Sequence, residues 1–151
     1  MSFKSDFINE IKNRGFIYQS TDLEDLDKIM IQKPISAYIG FDITSDSLHI
    51  GSLVQLMLLH WLDHYGHNPI ALVGGGTTLI GDPSGKDTSR KILHKKDIDK
   101  NILSITNTFG RFINLNNNAL IVNNYEWLSE INYIEFLRNI GSKMTLNKML
   151  T

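Results

Sequence analysis

The run Tyr38-Ile39-Gly40-Phe41-Asp42-Ile43-Thr44-Ser45-Asp46-Ser47-Leu48-His49-Ile50-Gly51-Ser52 holds the first group of residues whose types and spacing can do chemistry. It reads as a buried strand over 36–42, a polar turn with capping residues over 44–47, and a long apolar-striped helix that opens at His49. A strand leading into a helix start makes an anion site. The first helical turn has unpaired backbone N–H groups and a partial positive charge, so its donors are already fixed in direction. Gly40 and Gly51 have no Cβ, so a ligand can approach the strand backbone and the first turn closely. His49 adds a side-chain donor beside the anion.

A second group runs from Gly74 to Lys86, Gly-Gly-Gly-Thr-Thr-Leu-Ile-Gly-Asp-Pro-Ser-Gly-Lys. Three glycines at the C-terminal end of a strand stand where open parallel sheets bind ligands, although turns are also rich in glycine. Asp82 brings a carboxylate that either faces a ligand or caps the turn before Pro83. The phosphate-binding pattern Gly-x4-Gly-Lys-Ser/Thr is not met: Ile80 stands at its first Gly and Asp87 at its magnesium-binding hydroxyl. Lys86, Arg90, Lys91, Lys95 and Lys96 follow with no apolar period, the ordinary pattern of a solvated loop. His60 and His64 lack an acidic third ligand in any obvious motif and read as a solvated helix face rather than a zinc site.

The elements that must position these groups are legible from periodicity. Residues 4–14 and a segment capped by Asp22 (Leu23, Leu26, Ile29, Met30) carry helical apolar stripes, read as packing surfaces that stop at Gly15 and before Pro34. Helix 49–65 is expected to bury Leu53, Leu56, Met57, Leu59 and Trp61 and to end near Gly66. The continuous apolar run 69–73 suits a central parallel strand covered on both faces, joined to the first by a right-handed crossover. A helix over 97–113, a third strand over 119–122 and a helix over 132–140 complete the series. The fold class is α/β, a Rossmann-like parallel sheet flanked by helices.

The block Tyr-x-Gly-Phe-Asp-x-Thr-x-Asp-Ser-Leu-His-Ile-Gly, followed by Gly-Gly-x-Thr-x-Leu-Ile-Gly-Asp-Pro-Ser-Gly-Lys and by Asn123-Asn124-Tyr125-Glu126-Trp127, resembles the class I aminoacyl-tRNA synthetases. Within that class it resembles the bacterial tyrosyl-tRNA synthetases. Two positions depart: Ser52 stands where the second His of the His-Ile-Gly-His signature is usual, and Ile43 where a Pro is common. The resemblance implies catalytic roles for His49, Ser52, Thr44, Lys86 and Arg90, and ATP contacts for Gly40, Asp42 and Gly51. It implies tyrosine contacts for Tyr38, Thr77, Asp82 and Asn124, with Trp127 near the rim of that pocket. For Asn124 and Trp127 a strand-end turn with a packed Trp is an equal reading. Lys86 and Arg90 would close on the pyrophosphate leaving group. ATP, with magnesium carried on its phosphates, and L-tyrosine are the implied substrates.

The same resemblance implies tRNA(Tyr) as a partner through regions mostly outside this chain, and a homodimer formed through the 132–150 segment. Lys143-Met144-Thr145 hints at the second signature, Lys-Met-Ser-Lys-Ser, but comes too early and lacks its ending, so it receives no role. Residues 1–151 are read as the N-terminal part of the ATP- and tyrosine-binding catalytic domain, with the anticodon-reading and C-terminal RNA-binding regions absent. The piece alone is expected to be inactive. A net charge of −1 offers no global nucleic-acid face, and no apolar run is long enough for a membrane span. The absence of cysteine agrees with a reducing compartment, and a cytoplasmic location is expected. Two alternatives stay open: a nucleotide-dependent phosphotransferase built on residues 81–86, and a non-catalytic fragment that associates with a full-length subunit.

Overall fold

The middle strand of the sheet, β2 (Asn68–Val73), is the apolar run after the long helix, and it pairs in parallel with β1 (Ser36–Phe41) and β3 (Leu120–Asn123). This computed structural model describes residues 3–81 and 93–145. Between the strands run α3 (Ile50–His64) and α5 (Lys95–Phe109), preceded by α1 (Asp6–Asn13) and α2 (Leu23–Met30). Short helices α4 (Gly75–Ile80) and α6 (Tyr125–Leu128) follow β2 and β3, and α7 (Tyr133–Asn139) precedes a 3-10 turn at Gly141–Lys143. The parallel α/β architecture is the one expected from the sequence.

Local chemistry explains where the helices begin. Ser5 and Asp22 each sit in extended backbone and accept from the third following N–H, of Ile8 and Asp25, the N-cap arrangement. Gly15 and Gly66 follow α1 and α3 at φ +76° and +77°, the left-handed conformation that glycine adopts without strain. Asp27, buried on α2, also accepts from the N–H groups of Lys4 (3.1 Å) and Ser5 (2.7 Å) and so ties the start of α1 to α2.

Packing corrects three expectations. In α3 the buried residues are Ser52, Leu56, Leu59 and Leu62, whereas Leu53 is 38% exposed and Met57 and Trp61 are half-buried. Ile29 of α2 is also exposed. Among the described residues neither β1, expected to be buried, nor the central strand is fully covered on both faces: β1 alternates between exposed and half-buried residues up to the buried Phe41, and β2 between half-buried and buried ones. The reason lies in the helices, because α3 and α5 both pack on the face formed by Ile39, Phe41, Ala71, Val73 and Ile121. The α1/α2 cluster adds Ala37 on that same face. On the other face Tyr38 and Leu120, aligned across Ile70, are 68% and 55% exposed. The exposed apolar residue on β3 is therefore Leu120, while Ile121 packs into the core.

His67 follows α3, buried against Phe7, with its Nδ1 accepting from the Ile35 N–H at 3.3 Å. Burial lowers its pKa from the ordinary 6.5. The unfolded chain then binds a proton near pH 6.5 before the folded chain does, so this contribution to stability is complete above that pH. It is lost as pH falls from 6.5 through the lower folded pKa. The thermal midpoint should drop on acidification through this window, and His67→Gln should flatten that part of the profile, as scanning calorimetry at several pH values would register.

Candidate active site at the carboxyl edge of the sheet

The three strands end in one row, Phe41 beside Val73 beside Asn123. The ladder then continues by one step, since Gly74 N–H donates to the Phe41 carbonyl (2.9 Å) and Asn124 N–H to the Val73 carbonyl (3.1 Å). Asp42, Gly74 and Asn124 thus leave the sheet together, although they lie far apart in the chain. A cavity of about 670 Å³ opens at this edge. Its lining includes Gly40, Asp42, Thr44, His49, Gly51 and Ser52, six of the residues named from the sequence, together with Phe41, Ser45, Ser47, Leu48 and Gln55.

His49 is the N-cap of α3, and its Nδ1 accepts from the Gly51 N–H at 3.0 Å. A backbone N–H only donates, so Nδ1 is unprotonated and the neutral ring carries its proton on Nε2. Ser52 N–H donates to the His49 carbonyl at 2.9 Å. The expectation of unpaired N–H groups in the first turn is thereby corrected: two of them are satisfied by His49 itself. What the helix start presents to the cavity is the His49 Nε2–H and the dipole. Gly51 has a related reason to be glycine. A Cβ there would lie 2.8 Å from His49 Cε1, so its missing side chain makes room for the imidazole. At Gly40 nothing among the described residues, its chain neighbours aside, lies within 4 Å of a Cβ position, and the strand backbone there is open to the cavity.

The triple glycine forms the start of α4 and packs against protein. A Cβ on Gly75 would collide with the Asn123 amide, and one on Gly76 would stand 3.2 Å from the Tyr125 Cα and from the Asn124 Oδ1. Asn124 is buried, its Oδ1 accepting from the Gly76 N–H (2.7 Å) and its Nδ2 donating to Thr77 Oγ1 (3.1 Å). Thr77 in turn donates to the Gly74 carbonyl at 3.2 Å. The Thr77 hydroxyl has therefore given its proton to the protein and keeps one lone pair for a ligand donor. Thr77 and Trp127 are exposed. Tyr38 stands on the open face of β1 and does not line the cavity. Asp82, Lys86 and Arg90 lie outside the described residues.

Residues 30–151 match the family model described as tRNA synthetases class I (W and Y). The chain belongs to this family. It is 50% identical over 154 residues to a tyrosine–tRNA ligase of Bartonella quintana, covering 100% of this chain and 37% of that protein. It is 51% identical over 150 residues to one of Xanthobacter autotrophicus, covering 99% and 36%. Among solved structures, a C-terminally truncated mitochondrial tyrosyl-tRNA synthetase of Aspergillus nidulans matches with a TM-score of 0.78 at 26% identity, over 97% of this chain and 45% of that one. The chain thus spans little more than a third of the length of the curated synthetases it matches.

Two kinds of residue near this edge were not legible in the sequence motifs. Gln55 lines the cavity one helical turn beyond Gly51, a position that the 3.6-residue period alone would have offered. Thr78 and Asn101 hold the loop after β1 by side-chain bonds across long sequence separations, for which no local signal exists. His60, read as part of a solvated face, is half-buried and donates from Nδ1 to the Phe112 carbonyl at 2.7 Å; that contact ties α3 to the turn after α5.

Replacing Asn124 by Ala strips the buried Gly76 N–H of its acceptor, at a cost of about 1–3 kcal/mol. Trp127→Ala, at an exposed position, should stay within about 0.5 kcal/mol of the parent. Urea unfolding of both variants checks the contrast, and equal losses would remove Asn124 from its tying role.

Proposed function

We propose that the complete gene product containing this chain is a tyrosine–tRNA ligase. ATP and tyrosine give tyrosyl-adenylate and pyrophosphate, and a terminal ribose hydroxyl of tRNA(Tyr) then takes the tyrosyl group as AMP leaves. The observation that carries this reading is the convergence of Gly40, Asp42, Thr44, His49, Gly51 and Ser52 on one cavity at the carboxyl edge of a parallel sheet, where such sheets bind nucleotides. The named activity of relatives about half identical to it supports the choice of substrate.

The chemistry is a displacement at the α-phosphorus of ATP. The tyrosine carboxylate oxygen attacks, the bond to the bridging oxygen breaks, and pyrophosphate leaves with the electron pair. No covalent enzyme intermediate is needed, so positioning and charge stabilisation carry the rate. Asp42 offers acceptors to the hydroxyl and amine donors of the nucleotide. His49 Nε2–H and the hydroxyls of Thr44 and Ser52 donate to phosphate oxygens, and the α3 dipole adds to them. Lys86 and Arg90 meet the charge that builds on the leaving group, which stabilises the transition state more than bound ATP. Magnesium would come with the ATP phosphates rather than be held in a protein cage.

We infer that tyrosine would lie along β1. Tyr38 and Gly40 share the open face, and at about 3.3 Å per residue they lie about 7 Å apart along the strand. A phenol end at Tyr38 and a carboxylate end above the bare Gly40 backbone would then reach the cavity. Asp82 supplies the counter-charge to the α-ammonium, to which Thr77 adds its free lone pair, and Asn124 acts through Thr77. A site that pairs the substrate phenol rejects phenylalanine by about 10⁴–10⁵, because its own polar groups would be left unpaired.

A homodimer through the 132–150 segment belongs to the same proposal. In its support, α7 exposes Tyr133, Ile134, Phe136 and Leu137. So does a cytoplasmic location, with tRNA contacts mostly beyond these residues. Among the described residues no helix is long and apolar enough to cross a membrane.

Tyrosine-dependent exchange of labelled pyrophosphate into ATP, run on the complete gene product, tests the function. Exchange driven by tyrosine is expected, and phosphate transfer from ATP to another acceptor without it would overturn the reading. In the same protein His49→Ala should slow tyrosyl-adenylate formation by about 10²–10³, or about 2.7–4 kcal/mol, with tyrosine affinity nearly unchanged. Pre-steady-state adenylate formation at the parental rate would take His49 out of the mechanism.

A further inference from the structure

We propose that Thr78 and Asn101 are positioning residues of this site, which act by clamping the two peptide planes on either side of Ile43; their role in catalysis rests on the ligase reading above. Ile43 is 0% exposed, so its side chain is fixed in the core between β1 and α5. Its N–H donates to Thr78 Oγ1 at 3.2 Å, and its carbonyl accepts from Asn101 Nδ2 at 3.3 Å. Neither group meets a backbone partner among the described residues.

The N–H belongs to the Asp42–Ile43 peptide and the carbonyl to the Ile43–Thr44 peptide. Holding both planes fixes the directions in which Asp42 and Thr44 leave the core, and both of these line the cavity. A loop of extended and bent backbone, with no ladder of its own, is thus aimed by two side chains from elsewhere. Their origin matters as well. Thr78 belongs to α4 and Asn101 to α5, which pack on each other and flank residues 82–92 in the chain. The clamp therefore refers the loop bearing Asp42 and Thr44 to two helices that themselves pack together. A change that leaves Asp42 and Thr44 in place can still alter the direction in which they face the cavity.

The test uses the complete gene product with three changes. Thr78→Val keeps the shape and removes the acceptor; Asn101→Ala removes the donor. Ile43→Pro removes the N–H itself, so that the Thr78 hydroxyl has nothing left to accept from. Thr78→Val and Asn101→Ala should each lower kcat for pyrophosphate exchange by about tenfold to a hundredfold, while tyrosine affinity moves by less than about twofold. Amide hydrogen exchange over 42–48 should quicken in both. Adding Thr78→Val to Ile43→Pro should lower kcat no further.

Unchanged kcat with unchanged amide exchange in the folded Thr78→Val and Asn101→Ala proteins would overturn the proposal. So would a lowered thermal midpoint with parental kcat, since that marks a purely structural role. If the parent protein shows no tyrosine-dependent exchange, the ligase reading fails, but amide exchange still decides the clamp: faster exchange at 42–48 upholds it and parental exchange refutes it.

Discussion

Parallel registry is the constraint on which the other features depend. Because β1, β2 and β3 run the same way and stop in the same row, the residues that follow them emerge side by side at one edge. In an antiparallel sheet the same three segments would deliver Asp42 and Gly74 to opposite ends. The registry extends one bond past the strands, through Gly74 to Phe41 and Asn124 to Val73, so even the first residue of each connection is placed by backbone bonding. Everything beyond is built outward from that row: α3 on one connection, α4 on the next, α6 on the third.

Around that row the protein fills spaces and spends donors that a ligand could otherwise have used. His49 occupies the room that Gly51 leaves and takes its N–H, which trades two diffuse backbone donors for one directed imidazole donor. The exchange has an energetic sense. A side-chain donor on a rigid cap keeps its direction when charge builds on a phosphate, whereas a bare helix start offers chiefly a partial charge that water screens. The triple glycine works in the same way. Its absent side chains admit Asn123, Asn124 and Tyr125, and the result is a buried amide that fixes the Thr77 hydroxyl.

This division decides what was legible in the sequence. The three strands, helices α1, α2, α3, α5 and α7, and their order follow from periodicity, because apolar spacing reports directly on burial. The buried side of α3 did not follow: Ile50, Leu53, Val54, Leu56, Met57, Leu58, Leu59, Trp61 and Leu62 surround the helix with apolar groups, and no stripe singles out Leu62 over Leu53. Glycines announced close approach at 51 and at 74–76, but a missing Cβ does not say what approaches. Helix α4 itself was hidden because Gly75 and Gly76 are poor helix formers, held helical here by tertiary bonds to Asn124. The motif placed Asp42 and Thr44 in the site, yet nothing local could show that Thr78 and Asn101 aim them.

The uneven cover of the sheet gives the proposed reaction its geometry. With α3 and α5 gathered on one face, the face carrying Tyr38 and Gly40 remains open. A substrate lying on that face approaches the carboxyl edge along the strand, whereas a nucleotide in the cavity approaches it from the side of α3. Gly40 lies where the two routes meet: it is the residue of β1 that both shares the open face with Tyr38 and lines the cavity. In the proposed arrangement a Cβ at position 40 would stand between the two substrates, and among the described residues nothing beyond its chain neighbours lies within 4 Å of it. On this reading the glycine is required by the reaction path rather than by the fold. That distinguishes it from Gly51 and Gly74–Gly76, where the protein itself takes the space.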